Sequence, residues 1–251
     1  MKIRIDGKET EVDPGETIMD AAKRAGIEIP TLCWSEAFGG QGVCRFCTVE
    51  IDAGGRRRLV ASCTYPLSEE SDVWTNTPAV REIRRNIVTL LYRRAPNSDL
   101  MKKLFHEYDC REIEASDPTE SCIMCRLCVK ACEKVGAYAI SAVLRGIDKR
   151  IATPFDEGSP DCVGCGACAE ICPTGAIPLK EEDGRREIWH RSFQMSRCEE
   201  CGEYYGARPA IEHVQRRLEF DISSENLCPR CRRGKLAAAV NDVSLHREEL
   251  T

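Results

Sequence analysis

The sequence predicts an α+β chain built of several small modules in place of one large core. Most of the seventeen cysteines fall in tight C-x2-C runs, and one four-cysteine pattern occurs twice between residues 122 and 172. Apolar residues make up 42% of the 251, with aromatics at 6%, so a conventional core is thin for this length. Tight runs point to metal ligation, because disulfide scaffolds space their cysteines widely and irregularly.

The modules follow in order. Residues 1–5 alternate in polarity, Asp6-Gly7-Lys8 offers a turn and Glu9 to Val12 can return, giving an opening hairpin. Ile18, Ala21, Ala22 and Ala25 recur at helical spacing, with Gly26 placed to end that helix. Thr48 to Ile51 and Leu59 to Ser62, parted by Gly54-Gly55, complete a small mixed sheet, and the first module ends near residue 76. A helical linker over 77–118 comes next. Thr77-Pro78 starts a helix that stops before Pro96, and Ser98 caps a second one carrying Leu100, Met101, Leu104, Phe105 and Tyr108. Residues 119–182 hold the duplicated cysteine pattern. A module over 195–236 carries two C-x2-C pairs around an amphipathic stretch with Ile211, Val214 and Leu218, and 237–251 form a polar tail.

The cysteine spacings carry the chemistry. Cys33-x10-Cys44-x2-Cys47-x15-Cys63 is a four-ligand set whose first gap contains Gly39, Gly40 and Gly42. Glycines let the backbone wrap closely and aim N–H groups at sulfur, which suits a [2Fe-2S] centre better than zinc or idle thiols. Cys122-x2-Cys125-x2-Cys128-x3-Cys132 and Cys162-x2-Cys165-x2-Cys168-x3-Cys172-Pro173 repeat the two-cluster ferredoxin pattern, in which the fourth cysteine of each run serves the other cluster. One [4Fe-4S] centre is thus assigned to Cys122, Cys125, Cys128 and Cys172, the second to Cys132, Cys162, Cys165 and Cys168. Cys198-x2-Cys201-x26-Cys228-x2-Cys231 makes two facing knuckles, which suit structural zinc, with a single iron or a further iron-sulfur centre as alternatives.

"TLCWSEAFGGQGVCRFCTVE" and "LVASCTYPL" resemble the N-terminal ferredoxin domain of the large iron-sulfur subunit of respiratory complex I. They are equally similar to the diaphorase iron-sulfur subunit of NAD-linked bidirectional or electron-bifurcating [NiFe]-hydrogenases. "CIMCRLCVKACEKVGAYAI" and "CVGCGACAEICPTGAI" resemble the same subunit, with Glu133 where many ferredoxin runs have proline. "CEECGEYYGARPAIEHVQRRL" and "LCPRC" are similar to the C-terminal segment of formate-hydrogenlyase polyferredoxins. The resemblance implies a β-grasp [2Fe-2S] domain, a two-cluster ferredoxin-like domain and a small zinc-ribbon-like module.

His106-x3-Cys110 looks like the start of one more cluster. The family pattern there is His-x3-Cys-x2-Cys-x5-Cys, and this chain has Ile113 and Thr119 at the third and fourth positions. His106 is expected to be a helix residue and Cys110 a spare thiol.

Three redox centres in one chain make an electron conduit, because the cofactors carry the electrons while the protein sets spacing, burial and hydrogen bonding. No phosphate-binding glycine loop is visible, and His106, His190, His213 and His246 are scattered, so the chain is not expected to be catalytic alone. The resemblance implies an electron-transfer subunit between a flavoprotein that handles NAD(H) or NADP(H) and a [NiFe]-hydrogenase, with a small thioredoxin-like [2Fe-2S] subunit beside them. An NAD-linked formate dehydrogenase or a free polyferredoxin is the alternative. The large complex I subunit continues into a molybdopterin-enzyme-like domain, and a chain without one is expected in hydrogen metabolism. A net charge of −5 gives no footprint for nucleic acid. Stretches such as Ile87 to Tyr92 are too short to span a bilayer and Met1 is followed by no apolar leader, so the expected location is the cytoplasm.

Overall fold

The computed structural model describes residues 1–218 and 226–247. The chain forms two compact units, each treated by itself. The first comprises Met1–Ala131, Ala142–Ile151 and Cys168–Ile177; the second comprises Cys132–Ser141, Ala152–Ala167 and Pro178–Thr251.

The first unit opens with β1 (Lys2–Ile5) and β2 (Lys8–Glu11), antiparallel around the Asp6-Gly7 turn. Helix α1 (Ile18–Arg24) follows, capped by the Thr17 hydroxyl, which accepts from the Asp20 N–H at 3.2 Å, and it buries Ile18, Met19, Ala21 and Ala22. Two short strands, β3 (Trp34–Ser35) and β4 (Gly39–Gly40), pair across the glycine loop. Then come β5 (Thr48–Ala53), β6 (Arg56–Ala61) and β7 (Ser71–Trp74). The five-stranded sheet has the order β2-β1-β7-β5-β6, and β1 runs parallel to β7 while the other pairs are antiparallel. Strand β7 stands at the centre, although its sequence, SDVW, has too little alternation to announce a strand. Ile3, Ile5, Val49, Ile51 and Val73 pack with α1 to form the first core.

Helix α2 (Pro78–Arg94) starts at Thr77, whose hydroxyl accepts from the Val80 N–H, with proline in the first turn. Helix α3 (Asp99–Glu107) starts at Ser98 in the same way. The second core of this unit lies where α2 and α3 meet the cysteine loops: Val88, Met101, Ile123 and Leu127 pack with Leu32 and Phe46.

Helix α4 (Leu127–Val135) starts inside the first cysteine run and carries Cys128 and Cys132, β8 (Ser141–Val143) pairs with β9 (Arg150–Ala152), and α5 (Ala167–Glu170) carries Cys168 of the second run. In the second unit, β10 (Lys180–Glu182), β11 (Arg185–Ile188), β12 (Arg191–Arg197) and β13 (Tyr204–Ala207) form an antiparallel sheet in that order. Sequence reading assigns no element to 183–194, because the strands are short and mostly charged; Ile188, Phe193 and Met195 supply their buried side. Helix α6 (Arg208–Leu218) presents His213 and Arg217 to the turn after α4: His213 Nε2 lies 2.7 Å from the Val135 carbonyl, and Arg217 donates to the same oxygen. Val214 is exposed, so the half-buried face of α6 runs through Ile211 and His213. Helix α7 (Pro229–Arg247) ends the described chain. The expected tail over 237–251 is therefore helical as far as residue 247, and 248–251 lie outside the described residues together with 219–225.

Ile51 is 1% exposed at the centre of the first core, so Ile51→Ala removes methylenes from a site with no room to collapse. Urea denaturation is expected to show a loss of about 2–5 kcal/mol.

Candidate metal centres

Cys33, Cys44, Cys47 and Cys63 are all buried in the first unit. The thiols act on one another, Cys33 with Cys44 and with Cys63, and Cys47 with Cys63. Hydrogen bonds from Cys44 and Cys63 hold the Cys33 thiol far below its ordinary value, while the bond to Cys33 and burial push Cys44 up. The backbone at Val43 and Cys44 favours the Cys33 thiolate, and that at Gly42 the Cys63 thiolate. Four buried cysteines acting on one another fit a small anionic metal core. The glycine loop is pressed onto the site. A Cβ on Gly40 would lie 2.5 Å from Cys63 Cβ and 2.7 Å from its Sγ.

Cys122, Cys125, Cys128 and Cys172 also lie in the first unit and act on one another electrostatically. Burial is the main influence, pushing Cys125 up to about 11 and Cys128 to about 12. N–H groups point at sulfur here too, Met124 to Cys122 and Ala176 to Cys172, each at 3.4 Å. Met124 and Arg126 adopt positive φ, 56° and 65°. The equivalent positions of the second run are Gly164 and Gly166, at 69° and 80°. The duplication is therefore legible in the backbone, and the first run holds two strained non-glycine residues where the second has glycine.

In the second unit Cys132, Cys162 and Cys165 act on one another, and burial raises Cys132 and Cys162. The Ala139 N–H donates to Cys132 Sγ at 3.2 Å. Cys168, assigned with them from sequence, opens the Cys168–Ile177 segment of the first unit. The β10–β13 sheet supports this run through two arginines that spacing alone does not reveal. Arg191 donates to the Ser159, Pro160 and Cys162 carbonyls at 2.7, 3.0 and 2.8 Å, and Arg186 to the Gly164 and Cys165 carbonyls at 2.9 Å each.

The last set differs in geometry. The ligand sulfurs of Cys198, Cys201, Cys228 and Cys231 all lie within 4.8 Å of one another, the only such group of three or more among the described residues. One knuckle sits in the turn between β12 and β13, the other at the start of α7. The Glu199 N–H to Asn226 carbonyl bond, 2.9 Å, ties them together. Backbone N–H groups, that of Cys201 foremost, hold Cys198 down to about 6, while its bond to Cys228 raises Cys231 to about 12. Four sulfurs this compact fit a single ion, whereas a cubane holds its ligands farther apart.

His106 is exposed on α3, and the Cys110 thiol, half-buried, faces the Arg85 carbonyl at 3.5 Å. Neither joins a cysteine set among the described residues.

Donor sets of this kind define an iron-sulfur protein. Residues 1–78 match the 2Fe-2S iron-sulfur cluster binding domain, and residues 115–179 and 161–203 match 4Fe-4S dicluster domains. The chain is homologous to subunits of NAD(P)-linked oxidoreductases. It is 31% identical to the G 2 subunit of the NADH-quinone oxidoreductase of Rhizobium meliloti (strain 1021), over 93% of this chain and 31% of that protein. It is 35% identical to the HndD subunit of the NADP-reducing hydrogenase of Solidesulfovibrio fructosivorans, over 70% of this chain and 36% of that one. Among solved structures, the NAD+-reducing [NiFe]-hydrogenase in its H2-reduced state is similar, with a TM-score of 0.53 and 26% identity over 61% of this chain and 74% of that one. The chain spans about a third of the length of the curated relatives it matches. No helix among the described residues is long and apolar enough to cross a membrane.

Gly40→Ala tests the fit of the glycine loop. Because the added methyl displaces Cys63, reconstituted Gly40→Ala protein is expected to lose the [2Fe-2S] visible absorbance and EPR signal while keeping [4Fe-4S] signals. Retention of both signals would show that the loop is not pressed on the site.

Proposed function

We propose that this chain is an electron-relay subunit, passing single electrons between an NAD(P)(H)-linked flavoprotein and a [NiFe]-hydrogenase in a cytoplasmic complex. Cys33, Cys44, Cys47 and Cys63 hold a [2Fe-2S] cluster in a β-grasp domain over 1–76. Beyond the helical linker, a two-cluster domain over 119–182 holds two [4Fe-4S] centres, one on Cys122, Cys125, Cys128 and Cys172 and the other on Cys132, Cys162, Cys165 and Cys168. Cys198, Cys201, Cys228 and Cys231 hold structural zinc in a zinc-ribbon-like module. When bound, the clusters accept and release electrons singly, while the protein's own part is to bury them, space them and aim N–H groups at sulfur.

One observation carries the reading. Cys33 and Cys44 of the first set share a continuous buried core with Cys125 of the second, and Cys33 acts electrostatically on Cys125. A conduit needs its centres close, and here two sets are embedded in one packed body. The relatives add the direction of the proposal, because the names of those subunits tie them to NAD(P)-linked redox complexes. The small thioredoxin-like [2Fe-2S] subunit belongs to the same proposal, as the link between flavoprotein and this chain.

Isolation of the native protein tests the assignment. Copurification with a flavin-containing subunit and a nickel-containing subunit is expected. A molybdenum or tungsten protein in place of nickel would move the reading to formate dehydrogenase, and a lone 28.1 kDa species fully active as a carrier would overturn the subunit role.

A further inference from the structure

Arg84, on α2, is 5% exposed and has none of the usual company of a buried charge. Its Nε donates to the Phe46 carbonyl at 3.2 Å and its Nη2 to the Thr48 carbonyl at 2.9 Å. These are the residues on either side of Cys47. No carboxylate lies within ion-pair distance of it among the described residues. Asp6, the acid that acts on it from farther away, has its oxygens engaged by the Thr75 N–H at 2.8 Å and the Thr75 hydroxyl at 2.6 Å.

A guanidinium keeps its proton in a protein, and a buried charge without a partner costs several kcal/mol. Carbonyl dipoles solvate it in part. The remaining attraction comes from the Tyr108 hydroxyl, the Cys47 sulfur and the distant Asp6, while burial works against the charge. Of these, only the cysteine set can supply a full, nearby and permanent negative charge, once its four thiolates are bound to iron.

We propose that Arg84 is the fixed counter-charge of the [2Fe-2S] centre, a positioning residue that holds the Cys47 turn through two carbonyls and raises the reduction potential of that centre. The inference rests on the cluster assignment above. Reduction adds one electron, supplied from solution in the titration below, and makes the centre more negative by one unit. A buried positive charge stabilises the reduced form more than the oxidised one. The fork geometry and the charge are separable, because lysine keeps the charge and loses the fork.

The test is an EPR-monitored redox titration of the reconstituted full chain, comparing the unsubstituted protein with Arg84→Met and Arg84→Lys. Arg84→Met is expected to lower the [2Fe-2S] potential by about a tenfold change in the reduction equilibrium, ~59 mV for one electron. The [4Fe-4S] signals serve as internal references and are expected to move less. Arg84→Lys is expected to keep its [2Fe-2S] signal near the original potential, and it decides the matter if Arg84→Met fails to load. An unchanged potential in Arg84→Met, equal shifts in both variants, or loss of the signal from both would overturn the proposal and leave Arg84 a scaffold residue. A missing [2Fe-2S] signal in the unsubstituted protein would defeat the cluster assignment itself, and the inference with it.

Discussion

Burial of sulfur organises this chain. A thiol removed from water resists ionisation, as the rise of Cys125 to about 11 and of Cys128 to about 12 records, yet iron requires the thiolate. The conflict is resolved by a metal's positive charge and by backbone N–H groups turned toward sulfur. Ala139 on Cys132 and Ala176 on Cys172 are instances, and the positive-φ turns at Met124 and Arg126 belong to the same arrangement. The ligands double as core, because Cys33, Cys44 and Cys125 are counted among the buried apolar residues around Phe46 and Met101. On the proposed assignment, metal–thiolate bonds would stand where a larger domain packs side chains, in a chain with few aromatics.

Arginines donating to backbone carbonyls recur as the second layer, Arg84 as a fork through Nε and Nη2 and the others through Nη1. Arg84 grips the Cys47 turn, Arg191 and Arg186 the loop from Ser159 to Cys165, and Arg217 the turn after Cys132. In each case a rigid planar donor fixes backbone that must bend sharply around a metal site. For Arg84 the two-nitrogen geometry favours arginine over lysine. Arginine also places positive charge beside centres that gain negative charge on reduction.

Much of this was legible in the sequence, for physical reasons. The opening hairpin was signalled by its turn, α1 by helical spacing and Gly26, and α2 and α3 by hydroxyl caps, where Thr77 and Ser98 do accept from first-turn N–H groups; the Thr17 cap carried no separate signal. Cysteine spacing sorts the ligands into four sets, of which the structure gathers Cys198, Cys201, Cys228 and Cys231 within 4.8 Å of one another. The arginine supports left no sequence signal, because a guanidinium reaching a carbonyl between 21 and 82 positions away has no periodicity. The central strand β7 and the charged β10–β13 sheet were hidden because pairing, not apolar alternation, makes them strands. His106 lies exposed on α3, a helix that the Ser98 cap announced.

The missing histidine-ligated pattern poses a question of distance, since an electron leaving the [2Fe-2S] domain has no further cluster motif in 77–118 to step on. The shared core of Cys33, Cys44 and Cys125 answers it, by putting the two thiol sets in contact with the same buried side chains. Electron–electron dipolar coupling between the reduced [2Fe-2S] and [4Fe-4S] centres of the isolated chain tests this most directly. The account predicts strong coupling, seen as faster relaxation of the [2Fe-2S] signal once the neighbouring [4Fe-4S] centre is reduced. A [2Fe-2S] signal whose relaxation ignores the state of the [4Fe-4S] centres would contradict it.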